Sequence, residues 1–306
     1  MNILEIKHLQ KSFGSHAVIR DLNLSVPEHS VFGFVGQNGS GKTTTMKMVL
    51  GLIKPNGGVI SVCGEKVAYG ETKTNRSIGY LPDVPEFYAY MTPSEYLRLC
   101  GRITGMSKQA IKTKSDELLT LVGLGKVNRR IGGFSRGMKQ RLGIAHALLN
   151  EPKLLICDEP TSALDPVGRK EILDILFSVR GKTTVIFSTH ILSDVERICD
   201  QVAVLHQGSI ALSGTLSQIK AQHRHNCYTI DFADPADASL FKESAEGASQ
   251  QMQIEETHKG SLTVKVADTQ QGGQFLVDLL SQKRLTPARF ELMEPTLESL
   301  FMEVVQ

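Results

Sequence analysis

A glycine-rich loop that contains a lysine and a threonine is the first chemical feature of the chain. Residues 36–43 (GQNGSGKT) match the spacing G-x-x-x-x-G-K-[ST], and they follow the apolar run of residues 31–35. Glycines allow backbone N–H groups to close around phosphate oxygens, and a helix that begins at this loop adds the positive end of its dipole. Lys42 would bring a charge to the β- and γ-phosphates, and Thr43 would offer a hydroxyl to Mg²⁺. The spacing therefore predicts a nucleotide site.

Carboxylates and a histidine end two further apolar runs. Asp158 and Glu159 follow residues 154–157 (LLIC), and His190 follows residues 184–189 (TVIFST). Beside a phosphate loop, an aspartate at a strand end can hold Mg²⁺, and the next glutamate can polarise a water for attack on the γ-phosphate. His190 could donate a hydrogen bond to that phosphate or to the water. Without the loop, the two acids would more often belong to a solvated loop or a helix cap.

A second anion site is predicted at Ser135, in the segment FSRGMKQR of residues 134–141. Ser135 is placed to cap a helix whose free N–H groups attract an anion. A chain that already has a phosphate loop does not need a second such site. The segment therefore fits a γ-phosphate held by another copy of the protein, with an ordinary helix cap as the alternative.

The hydrophobic pattern predicts a parallel α/β sheet whose site lies at the strand ends. The first 30 residues alternate as an antiparallel hairpin, and residues 92–150 are helical, opening with the capping box of Thr92 and Glu95. Asp165 is expected to cap a helix that runs to Arg180. After Lys220 the pattern predicts a linker at 221–226, strands at 228–232 and 262–266, and helices near 237–246, 271–282 and 295–305. The chain is thus expected to have two domains, residues 1–219 and 220–306.

Composition limits the functions that the chain can have. Residues 1–219 carry 26 Lys and Arg against 19 Asp and Glu, and residues 220–306 carry 8 against 13, so a basic body precedes an acidic tail. Trp is absent and aromatic residues make up 6%, which leaves few stacking surfaces for nucleic acid. No apolar run reaches the roughly 18 residues of a membrane span, and the N-terminus lacks the apolar core of a signal peptide. The five cysteines form no CxxC pair, and we interpret them as free thiols of a reducing, cytoplasmic compartment.

The ordered motifs resemble those of the ATP-binding cassette (ABC) ATPases, over roughly residues 1–219. The corresponding segments are Walker A at 36–43, the signature at 134–138, Walker B at 154–159, the D-loop at 162–165 and the switch histidine at 190. The resemblance implies a P-loop NTPase of ABC type with an antiparallel β subdomain and a helical subdomain, followed here by a small α+β C-terminal domain. It also implies a head-to-tail homodimer that sandwiches two ATP molecules, with Mg²⁺, between Walker A of one subunit and the signature of the other.

Matching this chain to the family's motifs assigns the site residue by residue. The residues expected to be catalytic are Lys42, Glu159 and His190, and those expected to hold the metal are Thr43, Asp83 and Asp158. The residues expected to bind the nucleotide are Phe13, Gly36, Asn38, Gly39, Ser40, Gly41, Lys42, Thr43, Thr44, Ser135, Gly137 and Asp165. For Phe13, expected to stack on adenine, the alternative is a core residue at a strand end.

The chain departs from the family pattern at two motifs. Its signature is FSRGM instead of LSGGQ, which introduces Arg136, and Asp83 stands where the family has a glutamine. Aspartate is shorter than glutamine and, when ionised, cannot donate a hydrogen bond.

The resemblance favours a subunit of an exporter that works with a polytopic membrane permease, at the inner face of the cell membrane. The aromatic segment 84–91 (VPEFYAYM) is a candidate docking surface for that partner, although it could instead pack between subdomains. The C-terminal segment 294–301 resembles the extension of single-cassette exporters of the drug, antibiotic-peptide and sodium-efflux types. The alternatives are a soluble ABC ATPase acting in DNA repair or on the ribosome, or another phosphate-loop enzyme such as a kinase.

Overall fold

The computed structural model describes residues 1–71, 73–222, 226–248, 252–293 and 296–305. The chain divides into two compact units, residues 1–216 and 217–300, and the residues from 301 onward group with the first. The strands of the first unit are β1 (Asn2–Phe13), β2 (His16–Pro27), β3 (Val31–Val35), β4 (Gly57–Val62), β5 (Glu65–Lys66), β6 (Ile78–Leu81), β7 (Leu154–Asp158), β8 (Thr184–Thr189), β9 (Gln201–His206) and β10 (Ser209–Thr215). Its helices are α1 (Lys42–Val49), α2 (Pro93–Ile103), α3 (Lys108–Leu121), α4 (Arg136–Leu148), α5 (Pro166–Ser178) and α6 (Leu192–Ile198), and α7 (Leu216–Gln222) follows.

The strands of the first unit join in one sheet, in the order β5-β4-β1-β2-β10-β9-β3-β8-β7-β6. Neighbouring strands from β6 to β9 run parallel, whereas β10 pairs antiparallel with β9. Beyond β10, strands β2, β1, β4 and β5 form an antiparallel part. Every residue of β3, β7 and β8 is buried, as expected for parallel strands covered on both faces. The α/β fold predicted from the sequence is therefore confirmed.

Local capping sets the ends of the helices between residues 92 and 150. The Thr92 hydroxyl accepts the N–H of Glu95, and the Glu95 carboxylate accepts the N–H of Thr92, which completes the predicted capping box. Ser107 and Ser135 cap α3 and α4 through the N–H groups of the third residue beyond each. Three helices, α2, α3 and α4, thus lie in the region that the sequence predicts to be helical.

The second unit is a small antiparallel sheet packed with helices. Its elements are β11 (Cys227–Asp231), α8 (Pro235–Ala248), β12 (Gln253–His258), β13 (Ser261–Lys265), α9 (Thr269–Lys283) and β14 (Arg289–Leu292). Helix α10 (Leu297–Val305) begins at the end of this unit. The strands lie in the order β12-β13-β11-β14. The core contains the alternating residues of both predicted strands together with Phe241 and Leu276. The α+β character expected for this part is therefore present.

The structure differs from the sequence-based expectation at three elements of the C-terminal part. Helix α7 continues through Ala221, where we expected the linker to begin; residues 223–225 of that linker lie outside the described ranges. Strands β12 and β14 were not predicted, because their sequences QIEETH and RFEL are polar and short. The helical spacing of Leu297, Leu300, Phe301 and Val304 predicts that these side chains pack inward. Leu297 and Leu300 are buried and Phe301 is partly buried, whereas the side chain of Val304 lies outside the described residues.

Within the described ranges, no helix is both long and apolar enough to cross a membrane. The five cysteines are all free. Burial raises the pKa of the Cys157 and Cys199 thiols far above the ordinary value, so both stay protonated and unreactive near neutral pH.

Candidate functional site

The phosphate loop connects β3 to α1 at the end of the parallel sheet. Gly41 has φ of +107°, a conformation that side chains with a Cβ rarely adopt. A Cβ on Gly36, directly after β3, would lie only 2.6 Å from the carbonyl oxygen of Leu205 on β9. The close approach of the two backbones therefore requires glycine at position 36. The loop conformation thus depends on glycine at both positions, as the spacing of the motif predicts.

Lys42, Glu159 and His190 form one connected group at the strand ends. The Lys42 ammonium donates to the carbonyl of Gly36 at 2.7 Å, and its side chain is 6% exposed. The same ammonium lies 3.3 Å from Oε1 of Glu159, and the other carboxylate oxygen of Glu159 lies 2.9 Å from Nδ1 of His190. Three residues that are up to 148 positions apart in sequence are therefore joined through one carboxylate.

The backbone holds Glu159 in an unusual conformation directly after β7. Its φ is +48°, in the left-handed region that residues other than glycine seldom occupy. Its N–H donates to the carbonyl of Ser188 on the neighbouring β8 at 2.9 Å. Such conformations persist where the surroundings fix them, and they concentrate at functional sites. Here the conformation turns the Glu159 carboxylate towards Lys42 and His190.

Asp158 is the last residue of β7 and is 2% exposed. The Ser188 hydroxyl donates to its carboxylate at 2.5 Å. Burial, followed by the charge of Asp158, raises the pKa of Tyr80 on the adjacent β6 to about 12. Tyr80 therefore remains a neutral phenol beside the buried carboxylate.

A magnesium nucleotide fits the donor set of this site. Ser40 in the loop has a buried hydroxyl without a hydrogen-bond partner. Buried polar atoms are normally paired, so this hydroxyl indicates a bound polar group. Thr43 is exposed at the start of α1, and hydroxyl and carboxylate oxygens are ligands that Mg²⁺ prefers. The remaining loop residues expected to bind nucleotide, Asn38, Gly39 and Thr44, are exposed or partly exposed.

Two further predicted residues act as helix caps in this chain. Ser135 accepts the N–H of Met138 at the start of α4, and Asp165 accepts the N–H of Gly168 at the start of α5. Packing inside the chain does not require glycine at position 137: the nearest atom to a Cβ placed there is Cδ2 of Leu164, at the ordinary contact distance of 3.8 Å.

The two departures from the family pattern are paired with each other. The Arg136 guanidinium donates to the Asp83 carboxylate at 2.9 Å, and the buried Gln140 donates to the Asp83 carbonyl at 2.6 Å. The sequence had suggested Asp83 as a metal ligand and had left Arg136 without a partner. Because the two residues are 53 positions apart, no local pattern could have indicated the pair. The metal role of Asp83 stays a prediction.

We expect this ion pair to contribute little to stability. The Arg136 and Asp83 side chains are 41% and 47% exposed, and exposed pairs typically contribute under about 1 kcal/mol. Arg136→Ala should therefore lower Tm by less than about 3 °C. Arg169→Ala is the matched comparison, since Arg169 pairs at 2.6 Å with Asp194, which is 5% exposed. That change should lower the free energy of unfolding by about 3 kcal/mol. Thermal unfolding of both variants checks that Arg169→Ala is the more destabilising change. An equal decrease in Tm for the two variants would contradict this expectation.

Asp194 is a residue of the site region that the sequence analysis missed. Its carboxylate also accepts the hydroxyl of the buried Thr161, two residues after Glu159, at 2.8 Å. Asp194 thereby ties the loop after β7 to α5 and α6. An isolated aspartate in the first turn of a short helix gives no signal of this role in the sequence.

Phe13 ends β1 and is 50% exposed, with the Lys11 ammonium 4.6 Å from the ring centroid. It is therefore not a core residue, which excludes the alternative considered for it. An exposed ring remains available for stacking on a planar ligand.

Comparisons with known proteins agree with this geometry. A family model described as "ABC transporter" matches residues 19–162, and one described as "ATP-binding protein DrrA1-3-like, C-terminal domain" matches residues 214–305. The bacitracin transport ATP-binding protein BcrA of Bacillus licheniformis is 41% identical over 72% of each chain. The Nod factor export ATP-binding protein I of Burkholderia lata is 35% identical over 78% of each chain.

A solved structure of an ATP-binding subunit of an ABC transporter superposes with a TM-score of 0.65 at 35% identity, covering 72% of this chain and 92% of the other. The motifs, the sheet order and these similarities together show that the chain belongs to the ABC transporter ATP-binding proteins, a family of ATPases whose hydrolysis is coupled to transport.

Proposed function

We propose that this chain is the ATP-hydrolysing subunit of an ABC exporter and that it works as a homodimer with ATP sandwiched between the two copies. The observation that carries the proposal is the Glu159 carboxylate, which contacts both Lys42 and His190 at the end of the parallel sheet. A base, a phosphate-binding cation and an imidazole at one point are the groups that hydrolysis of a terminal phosphate needs.

We propose a separate task for each residue of this site. Glu159 accepts the proton of the attacking water, because its carboxylate lies beside Lys42, which would bind the γ-phosphate. His190 orients that carboxylate through the 2.9 Å contact of its Nδ1, and a further hydrogen bond from Nε2 to the reacting phosphate requires protons on both ring nitrogens. Thr43 and Asp158 would hold Mg²⁺, which neutralises phosphate charge when bound. Ser188 fixes Asp158 through the hydroxyl that donates to it.

The signature segment supports a shared site. Ser135 caps α4, whose N-terminus attracts anions, and Gly137 lacks a packing reason inside its own chain. Both features suit a phosphate that approaches from outside. In the proposed dimer, Ser135 and Gly137 face the ATP bound by Walker A of the second copy, and Phe13 stacks on adenine.

An aromatic surface beside α2 supports docking of a permease. Val84, Tyr88 and Tyr90 are each more than half exposed. Next to them lies a cavity of about 410 Å³ whose lining includes Phe87, together with Asp83 and Arg136. Exposed aromatic clusters of this kind are typical of protein interfaces. We assign this surface to a cytoplasmic segment of a polytopic membrane partner, which places the subunit at the inner face of the membrane.

The export direction rests on the C-terminal part of the chain and on one relative. That part matches the DrrA1-3-like C-terminal model, and a relative of similar sequence carries export in its name.

Co-expression of the chain with a candidate permease tests the assignment to a transporter. We expect the two to co-purify and the permease to change the rate of ATP hydrolysis, with Tyr88→Ala/Tyr90→Ala reducing co-purification. A chain that hydrolyses ATP but binds no permease encoded beside it would refute the transport role.

We propose that the C-terminal domain stabilises the dimer or tunes coupling and takes no part in catalysis. Deletion of the chain from Ala221 onward should leave ATP binding measurable, because the site residues lie between positions 13 and 190. The same deletion should weaken dimerisation or transport. ATP binding and sedimentation of the truncated chain, with Phe241→Ala as a full-length variant of the domain core, check this. A truncated chain that dimerises and supports export like the full chain would show that the domain has no such role.

A further inference from the structure

A second concave site lies on the helical region, between α2 and α3. It is a cavity of about 460 Å³. Basic side chains dominate its wall, and the lining includes Arg98, Arg102, Lys108, Lys112, Ser115 and Asp116. None of these residues belongs to the nucleotide site or to the aromatic surface described above. We call this cavity the basic groove.

Helix geometry brings the four cations of the basic groove together. Arg98 and Arg102 are four residues apart on α2, and Lys108 and Lys112 are four residues apart on α3, so each pair projects from one side of its helix. A connection of only four residues, 104–107, joins the helices, which pack against each other. Like charges at this spacing destabilise a helix. The two like-charged pairs line the same cavity, and their placement does not serve the stability of either helix.

Among the described residues, no carboxylate lies within ion-pair distance of the four cations. Lys114, on the same helix, instead contacts both Glu117 and Glu151. Of the nearby acids, Asp116 lies in the wall and Glu95 is engaged in the capping box of α2. The wall thus has a net charge of +3 from four cations and one carboxylate.

A buried hydroxyl gives independent evidence of a ligand. Ser115 is 5% exposed and lines the basic groove, and its Oγ has no hydrogen-bond partner in the structure. Buried hydroxyls are nearly always paired, so an unpaired one inside a basic cavity is suited to donate to an anion.

We propose that the basic groove binds a phosphate group, with the arginines and lysines neutralising its charge and Ser115 donating a hydrogen bond to one of its oxygens. Arginine offers a planar pair of donors that matches phosphate oxygens, and lysine adds a mobile point charge. The phosphate is carried either by an anionic phospholipid headgroup or by a small free phosphate compound. This site is independent of the nucleotide site and of the proposed transport function.

Two binding measurements on the full-length chain distinguish these sources. The first is calorimetric titration with inorganic pyrophosphate in a Lys42→Ala background, which weakens binding at the phosphate loop. The second is flotation with vesicles of phosphatidylglycerol and phosphatidylcholine, compared with phosphatidylcholine alone. Binding of pyrophosphate identifies a free phosphate compound as the ligand. Binding to the phosphatidylglycerol vesicles without binding of pyrophosphate identifies a lipid headgroup.

Three variants test whether the basic groove is responsible. Arg98→Gln/Lys112→Gln should weaken the observed binding at least tenfold, and Ser115→Ala should weaken it several-fold without changing the net charge. Lys126→Gln/Lys170→Gln removes two exposed charges elsewhere and should leave binding unchanged. Thermal unfolding serves as the folding control, since removing the like-charge repulsion should leave Tm unchanged or raise it. The proposal is wrong if neither probe binds, or if the two double variants weaken binding equally.

Discussion

Glu159→Gln is expected to bind ATP normally and to hydrolyse it about 10² to 10⁴ times more slowly than the unaltered chain, the range that a positioned general base contributes. The amide has nearly the same shape as the carboxylate and keeps an oxygen for His190, 2.9 Å away in the unaltered chain. It loses the negative charge that accepts a proton. Binding should persist because the loop, Lys42 and Thr43 are unchanged.

Phosphate release at saturating ATP, together with calorimetric ATP binding, measures this effect. Glu243→Gln, an exposed glutamate of the second unit, is the matched control and should hydrolyse ATP at the unaltered rate. Lys42→Ala, in contrast to Glu159→Gln, should weaken nucleotide binding, because it removes the charge that faces the phosphates. Unchanged turnover in Glu159→Gln would exclude Glu159 as the base.

The second large effect is complementation between two inactive variants. Lys42→Ala damages Walker A and Ser135→Arg blocks the signature, so each homodimer has two defective sites. In a mixed dimer, one composite site carries both changes and the other carries neither. If a single intact site turns over, mixing equal amounts should restore up to roughly a quarter of the unaltered activity, since half of the dimers are mixed and half of their sites are intact.

Steady-state hydrolysis of the two variants, alone and after mixing, provides the readout. Adding a second portion of Lys42→Ala in place of Ser135→Arg is the control, and it should restore nothing. High activity of Ser135→Arg alone would show that the signature is not needed, and the shared site would then be wrong.

Much of the nucleotide site could be predicted because its parts are local. A glycine-rich loop between a buried strand and a helix, and carboxylates directly after another strand, place their side chains at one sheet edge through the topology of parallel strands. Helix starts were equally predictable, since Thr92, Ser107, Ser135 and Asp165 each occupy a capping position.

The features of the fold and the site that the sequence did not predict depend on contacts between residues that are distant in sequence. The pairing of Arg136 with Asp83 and the link from Thr161 to Asp194 join elements that no sequence period relates. The positive φ of Glu159 follows from its hydrogen bond to β8 and not from residue preference. Strands such as β14 are only four residues long and are stabilised by pairing with β11, which a local pattern does not reveal.

The central claim, that ATP is held between two copies of this chain, is tested most directly by nucleotide retention in Glu159→Gln. After incubation with ATP and Mg²⁺, gel filtration with light scattering should show a species of twice the 33.6 kDa chain mass that retains one ATP per chain. Ser135→Arg/Glu159→Gln should lose that nucleotide, because the signature can no longer close over it. Retention of ATP by a species of 33.6 kDa, or equal retention in the double variant, would contradict the sandwich.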